Sequence, residues 1–586
     1  MTTLFRLPPQ LRHAFFITTF VPVPRATSHR SRCFSTTPLM TSNTKRSYAD
    51  AIALLDSLQS NREVVSSIAE APRDLNLDAI PEMLEWTRRA GYDVSDFAKR
   101  GLRCIHVAGT KGKGSVCAMV QNILLQYRRN DADPLGDIGR NRSLGKIGLY
   151  TSPHLVTVRE RIRIDGAPIS ESLFTRYFFE LWDRFSSATT SNSMDPHAVD
   201  LRPGYFRYLT LLAFHTFMEE GVETAIVECG IGGEYDSTNI LPPDAVSVSA
   251  ITRLGIDHVG ILGDTIENIA THKAGIMKTD VLAYTVEQLP EAQAILENCS
   301  VVKGANLHIV KRLELLNTAE VKLSLGGEFQ RDNASLAVSV AAAHLQKMGI
   351  NEGVPSLEVM MSQDKLSPQF IRALEATKWP GRWEVRKEGN IQWLIDGAHT
   401  PDSLEATAHW YFSILEDALH DENLPTATML IFNQHDRDAQ GLLRTFLGAL
   451  DRKNPKICLK LVDLEARVAA IQFSESKKMF TYAAFCTNIP FKSQVPADLD
   501  LGPQKETAKV YESITSNSLN IYYSNVEEAI QLARRVSAGD ERILVLVTGS
   551  LHLVGALFKV LGGGFGYPAD HDVDASTDQR SSERLL

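Results

Sequence analysis

Cysteine is scarce and scattered in this chain. The seven in 586 residues are Cys33, Cys104, Cys117, Cys229, Cys299, Cys458 and Cys486, with no CxxC pair among them. That pattern excludes a disulfide-stapled scaffold and a ribbon-type zinc site, and it suits a reducing compartment. Long apolar runs are missing too. No uninterrupted stretch reaches the ~18 apolar residues that a membrane span needs. The most apolar region, Ile543–Leu561, is broken by Thr548, Gly549, Ser550, His552 and Lys559. Acidic residues are absent from the first 49 positions, which hold seven Lys or Arg. The remainder then carries 54 basic against 70 acidic residues, a balance of −16 beside −9 for the whole chain. An acidic body argues against nonspecific nucleic-acid binding.

A chain of this length exceeds what one core can serve, so two or more domains are expected. Residues 1–39 have the character of a targeting segment. They are rich in Arg, Ser and Thr, lack acids, and carry Phe15, Phe16 and Phe20 for an amphipathic face. Arg32-Cys33-Phe34-Ser35 resembles a mitochondrial matrix-protease site. Met40 follows, so initiation there would give a cytosolic form without the segment. A disordered basic tail is the alternative reading of the same residues. At the other end, residues 566–586 are polar and read as a disordered tail.

The richest stretch is His106–Ser115, HVAGTKGKGS. Cys104–Ala108 is apolar and reads as a buried strand. Val116–Tyr127 has helical spacing. Between them, glycines let the backbone turn tightly and aim N–H groups inward. The following helix start adds partial positive charge, and Lys113 adds a full one. Strand, glycine-rich turn and helix make a phosphate-binding loop formed by Gly109, Thr110, Gly112, Lys113, Gly114 and Ser115. The spacing departs from the Walker pattern, because Gly112-Lys113 is followed by Gly114 and the hydroxyl arrives only at Ser115.

That departure is informative. AGTKGKGS resembles the loop of the Mur-ligase-like ATP-dependent amide ligases, and within them that of the folylpolyglutamate synthases. Further matches run from about Tyr48 to about Gly564. The resemblance implies an α/β fold: a P-loop-containing, Mur-ligase-like ATPase domain with a parallel central sheet, at 45–378, and a smaller Rossmann-like C-terminal domain, at 379–565. The residues alone support the alternation. Strands are expected at Lys146–Ser152, Ala225–Gly230, Ala245–Ile251, Val281–Thr285 and Leu307–Val310. Helices are expected at Ser47–Asn61, Asp78–Gly91, Tyr205–Gly221, Asp264–Gly275, Pro290–Cys299 and Ala334–Met348. After Trp379-Pro380-Gly381 the rhythm restarts, with strands at Trp383–Arg386, Gln392–Ile395 and Thr426–Asn433. Helix Asn525–Ala538 and strand Ile543–Val547 close the pattern. Asp131–Ser143 and Ser186–Pro203 read as surface loops, Ile457–Val462 as a strand candidate, and Ser493–Thr507 as a polar insertion.

Several side chains acquire roles only through the resemblance. Ser152 and Glu228 each end a strand, where open parallel sheets bind ligands. The family match makes them magnesium ligands, with His258 as a third. An imidazole is an unusual donor to so hard an ion. His154 lies in TSPHLVTVRERI, matching a segment over the pterin substrate. Lys273 matches a lysine that is carbamylated in the superfamily. Gln330 and Asn333 match positions near the adenine, in a stretch that reads as the polar entry to the Ala334–Met348 helix. From the second domain, Arg382 and Asp396 match ATP contacts. His399, in DGAHTPDS, and Ser550, in the closing TGSLHL, match positions near the incoming glutamate.

The resemblance therefore implies ATP and Mg2+, with a monovalent cation such as K+ as a further candidate. The substrates would be a reduced folate and L-glutamate, handled by a monomer without nucleic acid. Dihydrofolate synthase, or a bifunctional enzyme, has the same chemistry on dihydropteroate and stays open. A P-loop NTPase switch would explain the glycine-rich loop, but neither DGAHTPDS nor TGSLHL.

Overall fold

A computed structural model describes residues 46–59, 78–129, 143–190, 202–318, 320–356, 359, 365–419, 425–435, 437–460, 480–515, 520–538 and 542–562. The targeting segment, Met40, the loop at 131–142, the stretch at 191–201 and the tail at 566–586 lie outside them. Strands are numbered in chain order: β1 (Arg103–Ala108), β2 (Lys146–Tyr150), β3 (Ile162–Ile164), β4 (Ala167–Pro168), β5 (Val222–Glu228), β6 (Val246–Ile251), β7 (Leu282–Val286) and β8 (Asn306–Val310). These eight form one sheet in the order β4-β3-β2-β5-β1-β6-β7-β8. From β2 to β8 every pairing is parallel, while β3 and β4 are antiparallel additions at one edge. The central strands β1, β5 and β6 are buried along almost their whole length, as strands covered on both faces are.

Each face has its own helical layer. Helices Lys113–Leu125 and Glu328–Lys347 cover one, joining Met119, Val120 and Ile123 with Leu336 and Val340. Helices Glu171–Thr190 and Tyr205–Glu219 cover the other with an aromatic layer, including Phe174, Phe178, Phe185, Tyr208 and Phe217. Tyr48–Ser57 packs there too, begun by a reciprocal Ser47–Asp50 capping box.

The second sheet uses β9 (Glu384–Glu388), β10 (Ile391–Ile395), β11 (Ala427–Phe432), β12 (Tyr482–Cys486), β13 (Asn520–Tyr523) and β14 (Ile543–Thr548). Its order is β13-β12-β11-β14-β10-β9, parallel except for the edge strand β9. Four expectations change. Ile457 to Lys460 belong to the helix Ala439–Lys460 rather than a strand. That apolar triplet is too short to show a period, and a helix already under way simply continues through it. Helix Glu171–Thr190 extends into the stretch read as a surface loop. Helix Gly502–Thr515 occupies part of the polar insertion. The alanine-rich helix begins at Glu328, not Ala334, because Arg312 ties Glu328 to Asp332 across its first turn, at 2.8 and 2.7 Å. Among the described residues no helix is long and apolar enough to cross a membrane.

Candidate active site

The phosphate loop connects β1 to the helix Lys113–Leu125. Gly112 caps that helix with φ +93°, a region side chains rarely adopt, and a Cβ there would collide with the Asn333 amide. The N–H groups of Thr110 and Lys111 donate to the Arg253 carbonyl at 3.2 and 3.1 Å, and the Thr110 hydroxyl donates to the Gly255 carbonyl at 3.0 Å. The loop is thus anchored to the end of β6. The first turn of its helix presents the positive end of the dipole.

Two lysines converge on one oxygen. Lys113 Nζ donates to the Gly109 carbonyl at 3.0 Å, and Lys273 Nζ donates to the same atom at 2.9 Å. Lys273 is 3% exposed. Burial, and then the charge of Lys113, push its pKa down to about 7. Behind the loop, Gln330 Nε2 donates to Ser115 Oγ at 3.2 Å, and Asn333 Nδ2 donates to Gln330 Oε1 at 2.9 Å. Both amides therefore sit inside the helix Glu328–Lys347, not at its approach, and they brace the loop directly.

Ser152 follows β2, and its N–H donates to Glu228 Oε2 at 3.2 Å. The Ser152–Pro153 peptide is cis. Glu228 ends β5 almost fully buried, and burial raises its pKa against the opposing charges of Lys113 and Arg382. A buried carboxylate given one backbone N–H suits a cation. His258 caps a short helix at φ +50° and shares no hydrogen bond with Ser152 or Glu228 among the described residues. It lies near Lys113 and Lys273, whose charges reinforce burial in lowering its pKa. Among the described residues no three His, Cys, Asp or Glu side chains cluster as a metal site. The protein donors, Ser152 and Glu228, thus fit a nucleotide-bound magnesium that takes its remaining oxygens from phosphate and water.

The second sheet supplies the other wall. Asp396 follows β10, and its N–H donates to the Val547 carbonyl at 3.0 Å. Its carboxylate accepts from Trp383 N–H at 3.2 Å, Ala398 N–H at 3.1 Å and the Thr407 hydroxyl at 2.9 Å. Burial raises its pKa, with Arg382 opposing. Arg382 is half-buried, and its charge bears on both Asp396 and Glu228. Arg382 thus opposes the burial of one carboxylate in each sheet. Asp396, in contrast, spends its oxygens within its own half. His399 Nδ1 lies 3.0 Å from the Gly397 carbonyl, and burial lowers its pKa to about 4. Ser550 caps the helix Leu551–Val560, accepting from His552 N–H at 3.1 Å. His154 accepts from Arg161 Nε at 2.9 Å.

Contacts between the two halves went unforeseen. Lys111 pairs with Asp402 at 2.7 Å, and Arg437 with Asp257, beside His258, at 2.9 Å. Phe329 meets the Trp383 ring edge-on at 5.2 Å. Leu155 and Val156 pack into the core under β10 and β14, and the Leu155 carbonyl occupies the space a Cβ on Gly555 would need. Asp236 was also overlooked. Buried, it accepts from the N–H groups of Gly230, Ile231 and Thr238, at 2.8, 3.0 and 2.9 Å, and so sets the turn after Glu228. The Asp-Ser-Thr sequence was its one local signal.

No family model matches the chain. The chain is 37% identical over 564 residues to the folylpolyglutamate synthase of Neurospora crassa, covering 94% of this chain and 97% of that one. It is 39% identical over 531 residues to the folylpolyglutamate synthase of Saccharomyces cerevisiae, covering 88% and 87%. The fold matches that of Mycobacterium tuberculosis folylpolyglutamate synthase complexed with ADP, at 22% identity and a TM-score of 0.61, over 88% of this chain and 98% of that one. It also matches an FPGS–AMPPCP–folate complex, at 22% identity and a TM-score of 0.57, over 88% and 99%.

Proposed function

Since the chain belongs to the folylpolyglutamate synthase family, we propose that its two sheets hold ATP, a reduced folate and L-glutamate between them and join the last two. The enzyme is an ATP-dependent ligase that adds L-glutamate to the γ-carboxyl of tetrahydrofolates. A carboxylate oxygen is a poor leaving group, so direct condensation with an amine fails in water. The folate γ-carboxylate attacks the γ-phosphorus of ATP and releases ADP. The acyl phosphate formed is then attacked by the glutamate amine, and phosphate leaves. No nucleophilic side chain is required.

The reading rests on one observation above all: the phosphate loop of the first half meets the second half directly, Lys111 pairing with Asp402 at 2.7 Å two residues before Lys113. Lys113 and the helix start would stabilise charge on the transferring phosphoryl group. Ser152 and Glu228 would hold magnesium, with His258 as a further donor. Bound there, the ion would neutralise phosphate charge. Gln330 and Asn333 would support the nucleotide side, and His399 and Ser550 the glutamate side. Lys273, with its lowered pKa, has neutral amine available near pH 7, the form that can take up carbon dioxide. A carbamate there would make turnover depend on bicarbonate. Both walls of the site belong to one chain, which supports a monomer.

Purified protein given ATP, labelled glutamate and tetrahydrofolate should transfer label to the folate. Transfer only to dihydropteroate, offered separately, would overturn this reading in favour of dihydrofolate synthase. ATP hydrolysis without transfer to either would favour an NTPase switch. The acid-free, Arg-rich start supports mitochondrial matrix localisation, with a cytosolic form from Met40. A full-length fluorescent fusion should enter mitochondria, and a fusion starting at Met40 should remain in the cytosol. Import of the shorter fusion would place the address elsewhere.

A further inference from the structure

Arg161 is a buried cation with no carboxylate at ion-pair distance among the described residues. It ends the turn Val158–Arg161, just before β3, and is 8% exposed. Its Nε donates to His154 Nδ1 at 2.9 Å, and its guanidinium carbon stands 5.6 Å from the centre of the Tyr205 ring. Neither neighbour is an anion. Arg159, two residues earlier, has Glu171 at 3.7 Å. A buried guanidinium with no carboxylate in contact is costly, and such a cost is tolerated where a ligand brings the anion.

The position of Arg161 says which ligand. Its carbonyl accepts from Thr151 N–H at 3.0 Å, which ties it to the residue before Ser152. Its charge bears on Glu228 as well. It therefore stands at the carboxyl ends of β2 and β5, where the substrate carboxylate must meet ATP. From the other half, the Lys559 ammonium adds positive charge towards His154. The terminal glutamyl unit of a folate has an α- and a γ-carboxylate, and only the γ one is extended.

We infer that Arg161 binds the α-carboxylate of that terminal glutamyl unit through its two terminal nitrogens, which leaves the γ-carboxylate as the group presented to ATP. The planar fork of a guanidinium matches a carboxylate in two parallel hydrogen bonds. His154 is then a positioning residue, since by accepting from Nε it fixes the plane of the fork. The inference rests on reading the chain as a folate γ-ligase.

Two acceptors test it: tetrahydropteroylglutamate and tetrahydropteroyl-4-aminobutyrate, which keeps the γ-type carboxylate and lacks the α one. The parent enzyme should favour the first by roughly 100-fold in kcat/KM, because the second leaves Arg161 unpaired. In Arg161→Gln that preference should fall below roughly tenfold, through loss on the glutamate acceptor alone, with the KM for ATP little changed. Arg161→Lys keeps the charge without the fork and should fall between. An undiminished preference in either variant would overturn the assignment. So would a parent that uses both acceptors equally, a result that needs no variant to fold. A parent that hydrolyses ATP yet extends neither acceptor would overturn the γ-ligase reading, and this assignment with it.

Discussion

Two turns at the ends of parallel strands face the same site and are built in opposite ways. The turn after β1 keeps its chemistry unspent. Lys113 and Lys273 share a single neutral carbonyl, and the helix start contributes donors. The turn after β10 is fully engaged. Asp396 accepts three hydrogen bonds from its own half, and His399 rests on its own loop carbonyl. One turn therefore keeps the donors that the proposed function needs for a ligand, and the other is held by its own hydrogen bonds beside Arg382. Substitutions should separate the two, affecting chemistry in the first and stability in the second.

The largest effect is expected at Lys113. Lys113→Ala should lower ligation by roughly 100-fold or more while the melting temperature stays near the parent's. Folate-dependent turnover within a factor of about three of the parent would remove the loop from the reaction. Asp396→Ala removes the acceptor of three donors, the Ala398 N–H among them buried, and should cost about 2 kcal/mol of stability in denaturant unfolding, with activity falling as a consequence. Full stability with lost activity would mean that Asp396 touches substrate after all. Arg382→Ala should lower ligation about tenfold with little change in stability. Combined with Asp396→Ala it should lose less than the product of the single losses, since both act through one arrangement. A fully active Arg382→Ala enzyme would abolish the shared site. The smallest effect is expected at Lys111, whose partner Asp402 is largely exposed. Lys111→Ala should change ligation no more than about twofold, a difference that added salt erases.

Local pattern made much of the first sheet legible. β1, the glycine turn and its helix announce themselves within a few residues, and Glu228 closes an apolar run that could only be a strand. The second sheet was less open. β12 is YAAFC, whose alanines carry little strand character, and β13 is a short edge. Asp396 was found at its strand end, but its three internal donors were not, because Thr407 reaches it from a later turn of a helix. Lys111 and Asp402 stand 291 positions apart, and no local signal connects them. Arg161 hid among the arginines of VRERIRI. Burial, and the lack of a carboxylate at ion-pair distance among the described residues, set it apart from Arg159, which has Glu171 as an acidic partner.

Gly555 lies within the helix Leu551–Val560, where glycine weakens a helix by roughly 1 kcal/mol relative to alanine. The site is given up to the Leu155 carbonyl, so the segment after Ser152 and the last helix are in backbone contact. Loop and helix therefore share one clock. If a folate binds beneath Pro153–Val156, as the proposed function has it, its entry and the exit of the extended product would each require that backbone contact to yield. Whether a chain gains one glutamate or several before release would then depend on how often that contact yields within one round of phosphoryl transfer.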